Sequence, residues 1–179
     1  MSKKDFDNFL KNHNSDPTKK GIDWTARKNE WLKFIDEFYK SVEGWLEPYI
    51  KKNKIKYEYR SIELTEDYIG VYEVRSLVIS LANQQIKLKP IGTLLLGTQG
   101  RIDMEGARGR VTFILADKDS RGVKFGFSIS ENKKSPSKNT EAQPPDWTWK
   151  IVLREQRRIA YDEFNEENFF GAMMEIVNG

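Results

Sequence analysis

Four carboxylates have the spacing that metal-assisted chemistry would need. Asp103 and Glu105 alternate on a predicted strand, so both side chains point to one side, and Asp117 and Asp119 flank a nearby turn. Such groups can hold Mg²⁺ together with substrate phosphates, as in phosphodiester-cleaving enzymes. The nuclease pattern of an acidic residue followed by Glu-x-Lys on an adjacent strand has no convincing form here. Acidic residues are also common on the solvent-exposed face of an antiparallel sheet. A carboxylate- and metal-dependent phosphodiesterase is therefore the weakest of three alternatives, and no catalytic or metal-binding residue is assigned.

Basic side chains gather around the next two turns. Guanidinium groups bind phosphate well, and a β-hairpin can enter a nucleic-acid groove. The neighbouring carboxylates would neutralise part of such a patch. Nucleic-acid or phosphate binding is the second alternative, and its candidate contacts are Arg101, Arg108, Arg110, Lys118, Arg121 and Lys124, with Lys87 and Lys89 on an adjoining strand.

Composition excludes several classes of site. The 179 residues include no cysteine and a single histidine, so disulfides, thiolate metal sites and zinc sites built on several histidines are excluded. His13 lies in a polar opening segment, which does not suit a rigidly held triad histidine. The net charge of +3 is small for a dedicated nucleic-acid binder. With neither a signal-like apolar stretch nor a membrane-length run, we expect a cytoplasmic chain with no membrane association and no cofactor.

An aromatic helix organises the rest of the chain. Trp24, Trp31, Phe38 and Trp45 recur every seven residues between positions 24 and 50, and further apolar residues fill the gaps at three and four. This spacing predicts a long helix with one wide apolar face. Asp23 or Thr25 is its candidate N-cap and Asn53 its candidate left-handed C-cap, and Pro48 predicts a kink or a new start near Gly44.

Period-two patterns follow from Ile55 onward. They predict six to eight strands, with a slip near Ser61, a hairpin at 106–109, a strand at 93–97, a clean strand at 123–129 and a short edge at 159–161. Trp147 and Trp149 share one strand face and suit either the core or a stacking platform. Asn165 caps a short last helix.

The predicted fold is α+β. A large, curled, predominantly antiparallel sheet, or a partly closed barrel, packs against the long N-terminal aromatic helix and the short C-terminal one. Residues 1–22 are predicted to be a flexible leader, and residues 23–179 a single domain with a mobile loop at 131–146. The first functional alternative is a non-enzymatic binding or protein-interaction module. Its partner would be another protein, or a small ligand in the concave face of the sheet.

Overall fold

The structure, a computed structural model, describes residues 22–93, 98–124, 146–155 and 158–178. Apart from Ile22 and Asp146, the predicted leader at 1–22 and the predicted loop at 131–146 lie outside this part of the chain. The elements in chain order are α1 (Trp24–Lys51), β1 (Ile55–Glu66), β2 (Gly70–Leu81), β3 (Gln84–Gly92), β4 (Gly100–Gly106), β5 (Gly109–Asp117), β6 (Gly122–Lys124), β7 (Trp147–Glu155), β8 (Arg158–Glu163) and α2 (Glu166–Asn178).

The predicted α+β class is confirmed. One sheet of eight strands has the order β1-β2-β3-β4-β5-β7-β8-β6, and all its neighbouring strands pair antiparallel. β1 and β6 form its two edges, so the sheet is open and is not a closed barrel. None of the described helices is long and apolar enough to cross a membrane.

Both ends of α1 are capped as the sequence predicts. The Asp23 carboxylate accepts a hydrogen bond from the Ala26 N–H at 2.9 Å. Asn53 has a φ of 56°, and its N–H donates to Ile50 O while the next N–H, of Lys54, donates to Tyr49 O. These two bonds form a Schellman C-cap, which satisfies carbonyls that a helix end otherwise leaves open.

Of the kink or new start predicted near Gly44, the new start is wrong, because α1 runs through Pro48 as one helix, and the kink stays a prediction. Proline removes the bond to the carbonyl four residues earlier. Gly44, Glu47 and Pro48 all lie on the exposed side of α1. Water can therefore take the place of the lost donor, and the helix continues.

One hydrophobic core lies between the helices and a single face of the sheet. From α1 it takes Trp31, Ile35, Phe38, Tyr39, Val42 and Leu46. Trp31 lies so close to β4 that a Cβ at Gly100 would come within 2.2 Å of the indole ring. Phe38 stacks on Phe164 with the ring centroids 4.5 Å apart. Trp149 is also buried, so the predicted tryptophan face of β7 serves as core.

The β1–β2 hairpin is a long twisted ribbon that leaves the sheet. Its register is unbroken from Ile55–Leu81 to Glu66–Gly70, so the predicted slip near Ser61 is absent. Tyr59 and Leu77, which pair near the sheet, contact the core. Leu64 and Tyr72, which pair near the tip, also contact it, although their odd spacing from Tyr59 and Leu77 would place them on the opposite face of a flat ribbon. Strong twist of a two-stranded ribbon explains this change of face.

Tyr39 occupies the point where the ribbon leaves the sheet. The pairing of β2 with β3 ends at Leu77–Leu88. The Tyr39 hydroxyl lies 2.9 Å from Arg75 O and 3.2 Å from Leu88 O, and the Ser76 hydroxyl also donates to Leu88 O. Two side chains thus replace the ladder bonds that end here. Burial is the main cause that raises the pKa of Tyr39 above its ordinary value, which keeps this donor protonated.

The far end of the sheet contains a crossover. β6 follows β5 in sequence but pairs only with β8, so the chain between them passes the ends of β7 and β8. The buried Lys150 ammonium donates to the carbonyl oxygens of Lys118 and Ser120 and holds this connection. The predicted edge at 159–161 is therefore an inner strand. Residues 94–97 and 125–129 of the predicted strands at 93–97 and 123–129 lie outside the described part.

Replacement of Phe38 by alanine should lower the free energy of unfolding by about 3–5 kcal/mol, because it empties a fully buried aromatic site. Tyr49→Ala, at an exposed position of the same helix, should cost less than about 1 kcal/mol. Urea denaturation of both variants measures the difference. Equal midpoints would contradict the assignment of the core face.

Candidate functional site

The six predicted basic contacts do not form one patch. Arg108 and Arg110 lie at the start of β5, and Lys118 and Arg121 follow its end. Residues 111–117 of β5 separate Arg110 from Lys118 by roughly 26 Å, at about 3.3 Å per residue. Lys118 forms an exposed ion pair with Asp146, with the nitrogen and oxygen 3.9 Å apart. Lys124 belongs to β6, and its side chain lies outside the described part.

Asp103 forms ion pairs with two of these arginines from a buried position. Its carboxylate is 1% exposed and accepts two hydrogen bonds from the Arg101 guanidinium, each 2.7 Å long. The Thr112 hydroxyl donates to the same carboxylate, and Arg110 Nη1 lies 3.6 Å from it. The hydrogen bonds that Arg101 donates to Asp103 are the main cause that raises the pKa of Arg101 above its ordinary value. The Arg101 guanidinium is therefore engaged by the buried Asp103 carboxylate.

The four predicted carboxylates do not converge. Asp103 is committed to Arg101, whereas Glu105 is exposed. Asp117 accepts a hydrogen bond from the backbone of Asp119 within its own turn. In residues 22–93, 98–124, 146–155 and 158–178, no three acidic or histidine side chains come close enough to hold a metal ion.

A polar cluster joins the ribbon tip to the end of β3. The Glu66 carboxylate accepts hydrogen bonds from the Tyr72 hydroxyl and from both the N–H and the hydroxyl of Thr93. Arg27 donates to Thr93 O at 3.1 Å. Burial is the main cause that raises the pKa of Tyr72, with the hydrogen bond to Glu66 second. The cluster anchors the ribbon over the N-terminal part of α1.

A cleft opens where β5 and β7 separate. Their pairing runs from Asp117–Trp147 to Phe113–Ile151 and stops there. β5 nevertheless begins at Gly109, and β7 continues to Glu155, paired on its other side with β8. In this described stretch, the two strand edges that face each other carry no ladder hydrogen bonds. The gap between them has a volume of about 670 Å³, within the range of ordinary ligand sites.

Helix α2 forms the floor of this cleft. It packs against β4 and β5, while its other side faces the gap. The Arg108 N–H donates to Ile176 O and fixes the end of α2 to the β4–β5 turn. Gly171 and Ala172 are the small residues of the floor, and a Cβ at Gly171 would meet no heavy atom within 4 Å. The walls are residues 110–112 of β5, residues 151–153 of β7 and Asp162 of β8.

Of the five predicted contacts whose side chains the structure describes, only Arg110 lines the cleft. Sequence reasoning missed the rest of the site, because its walls are ordinary strand residues and their separation depends on distant packing. One local signal was Gly171, which stands inside a helical pattern where glycine costs stability without a packing reason. The helices cover the sheet face that was expected to hold a small ligand.

Comparison of the chain with protein-family models, curated proteins and solved structures found no match.

Replacement of Arg101 by alanine should destabilise the fold by about 2–3 kcal/mol, because it leaves the buried Asp103 carboxylate without its main partner. This loss is smaller than that of a fully buried ion pair, because Arg101 is itself partly exposed. Arg121→Ala, at an exposed position in the turn after β5, should change stability by less than about 0.5 kcal/mol. Thermal unfolding of both variants compares them. Similar losses would contradict the structural assignment of Arg101.

A test of polyanion contact should therefore use the exposed basic residues. If the chain binds nucleic acid, Arg108→Gln, Lys118→Gln and Arg121→Gln together should leave folding intact and lower the salt slope of binding by up to about 0.9 per lost phosphate contact. Titration with short DNA and RNA at several salt concentrations measures this slope. An unchanged slope would exclude these residues as the contacts.

Proposed function

We propose that this domain is a protein-interaction module that binds an extended segment of a partner in the cleft between β5 and β7. One observation carries the proposal: the two strands continue beyond Phe113 and Ile151 after their pairing ends. Unpaired strand edges are templates for another strand. A segment bound there would extend the β-ladder into the gap.

The surroundings of the cleft suit a preformed site. At its closed end, Phe113 packs against Phe38 with ring centroids 5.2 Å apart and against Phe164 at 5.6 Å. This rigid cluster fixes the point of separation. Binding would then require little reorganisation of the domain, which lowers the entropic cost of association.

The small residues of α2 give access to both strand edges. Gly171 leaves open space over the floor, so a bound backbone can approach the helix closely. A larger side chain at this position would fill the cleft from below. The proposal therefore has a direct steric test.

Gly171→Leu should weaken peptide binding strongly without loss of stability. Leucine and alanine both favour a helix over glycine by about 0.5–1 kcal/mol, so Gly171→Leu and Gly171→Ala should both unfold at or above the parent temperature. Only leucine fills the cleft. A displayed library of random heptapeptides is selected on the parent, and the enriched peptides are then measured on all three proteins by isothermal titration calorimetry.

The expected result is similar binding to the parent and Gly171→Ala, and at least about tenfold weaker binding to Gly171→Leu, which corresponds to about 1.4 kcal/mol. Failure to enrich any peptide would overturn the proposal. So would enriched peptides that bind Gly171→Leu as tightly as the parent, because they would occupy another surface.

A further inference from the structure

The charges around the cleft point to the chemistry of its partner. On the basis of the proposed function, we infer that the bound segment is a cationic strand in which lysine or arginine alternates with aliphatic residues. Alternation follows from strand geometry, since successive side chains point to opposite sides. The charges and the apolar surface of the cleft decide which side chains fit each side.

Acidic side chains dominate the described rim. Asp162, Glu167 and Glu175 line the cleft, and Arg110 is the basic residue among the lining side chains that the structure describes. Arg110 already lies 3.6 Å from the Asp103 carboxylate and 4.0 Å from that of Glu105. Its charge is therefore largely offset within β4 and β5.

The three rim carboxylates can accept further hydrogen bonds from a ligand, although that of Asp162 already accepts one from the Glu163 N–H at 2.9 Å. Among the side chains that the structure describes, which do not include those of Arg154 and Arg158, no basic group forms an ion pair with Asp162, Glu167 or Glu175. Glu167 and Glu175 are exposed, and they lie on α2 at the two ends of the floor. Basic groups of a bound strand would meet negative charge along the length of the cleft.

Apolar surface fills the space between these charges. Ile151 and Leu153 lie on the same side of β7, and Leu153 is 42% exposed at the open end of the gap. Val111 and Ala172 complete this surface. Aliphatic side chains on one side of a bound strand would bury it, while basic side chains on the other reach the rim.

Three defined peptides test the inference. They are acetylated and amidated heptapeptides in which valine alternates with lysine, with glutamate or with serine. Calorimetry at low salt should show that the valine–lysine peptide binds the parent at least about tenfold more tightly than the valine–glutamate peptide. Moderate salt should reduce this preference, because exposed charges are screened.

Glu175→Lys is the informative variant. It should weaken the valine–lysine peptide and strengthen the valine–glutamate peptide, without loss of stability, because a cation suits the C-terminal part of α2. Glu63→Lys is the matched control, since it changes the net charge equally on the distant β1–β2 ribbon, where Glu63 faces Glu73. This control should leave the peptide preference unchanged.

The outcomes separate the two proposals. Tighter binding of the valine–glutamate peptide that is blocked by Gly171→Leu would overturn the charge inference and leave the binding module in place. Weak binding of all three peptides, while library peptides still occupy the cleft, would do the same. Equal effects of Glu175→Lys and Glu63→Lys would also overturn the inference, because net charge alone would then explain the preference.

Discussion

Backbone N–H and C=O groups need partners wherever two strands part, and the described sheet parts in two places. At the first, beyond Leu77–Leu88, the hydroxyls of Tyr39 and Ser76 serve the carbonyls that the ladder leaves open. At the second, beyond Phe113–Ile151, a cleft lies between the strands where such side chains would otherwise stand. The first parting fixes the ribbon around α1. The second leaves room for another chain, and this contrast underlies the proposed function.

The buried charged groups form contacts within the fold. Asp103 takes the guanidinium of Arg101 and lies near that of Arg110, and Lys150 binds the carbonyls of the crossover. Buried charges are tolerated when each finds a partner, and removal of one partner is costly. A sequence rich in basic residues can therefore present little free positive charge. Here the described rim of the cleft is acidic, although the chain as a whole carries a net charge of +3.

Much of the fold could be predicted because local rules and tertiary packing agree. The aromatic stripe defines α1, and Asp23, Asn53 and Asn165 cap the helices as their types indicate. Pro48 does not end the helix as one alternative predicted, because its solvent exposure, which a single sequence does not reveal, relieves its cost. Tyr39 was not predicted as a core residue, because its contribution is a hydrogen bond from its hydroxyl to a strand that is distant in sequence. The cleft could not be predicted, because it arises from the divergence of two strands whose sequences are compatible with continued pairing.

The crossover determines the order in which the strands can pair during folding. β1 to β5 pair with their neighbours in sequence, so they can assemble by successive short hairpins. β6 must instead wait for β7 and β8, which are synthesised later and come to lie between it and β5. Loop closure over such a distance is slow compared with hairpin formation. Until it occurs, the free side of β5 is a bare edge on the ribosome-bound or newly released chain. The hydrogen bonds from Lys150 to the crossover would then be among the last contacts to form. Once they have formed, the edge of β5 would no longer be exposed.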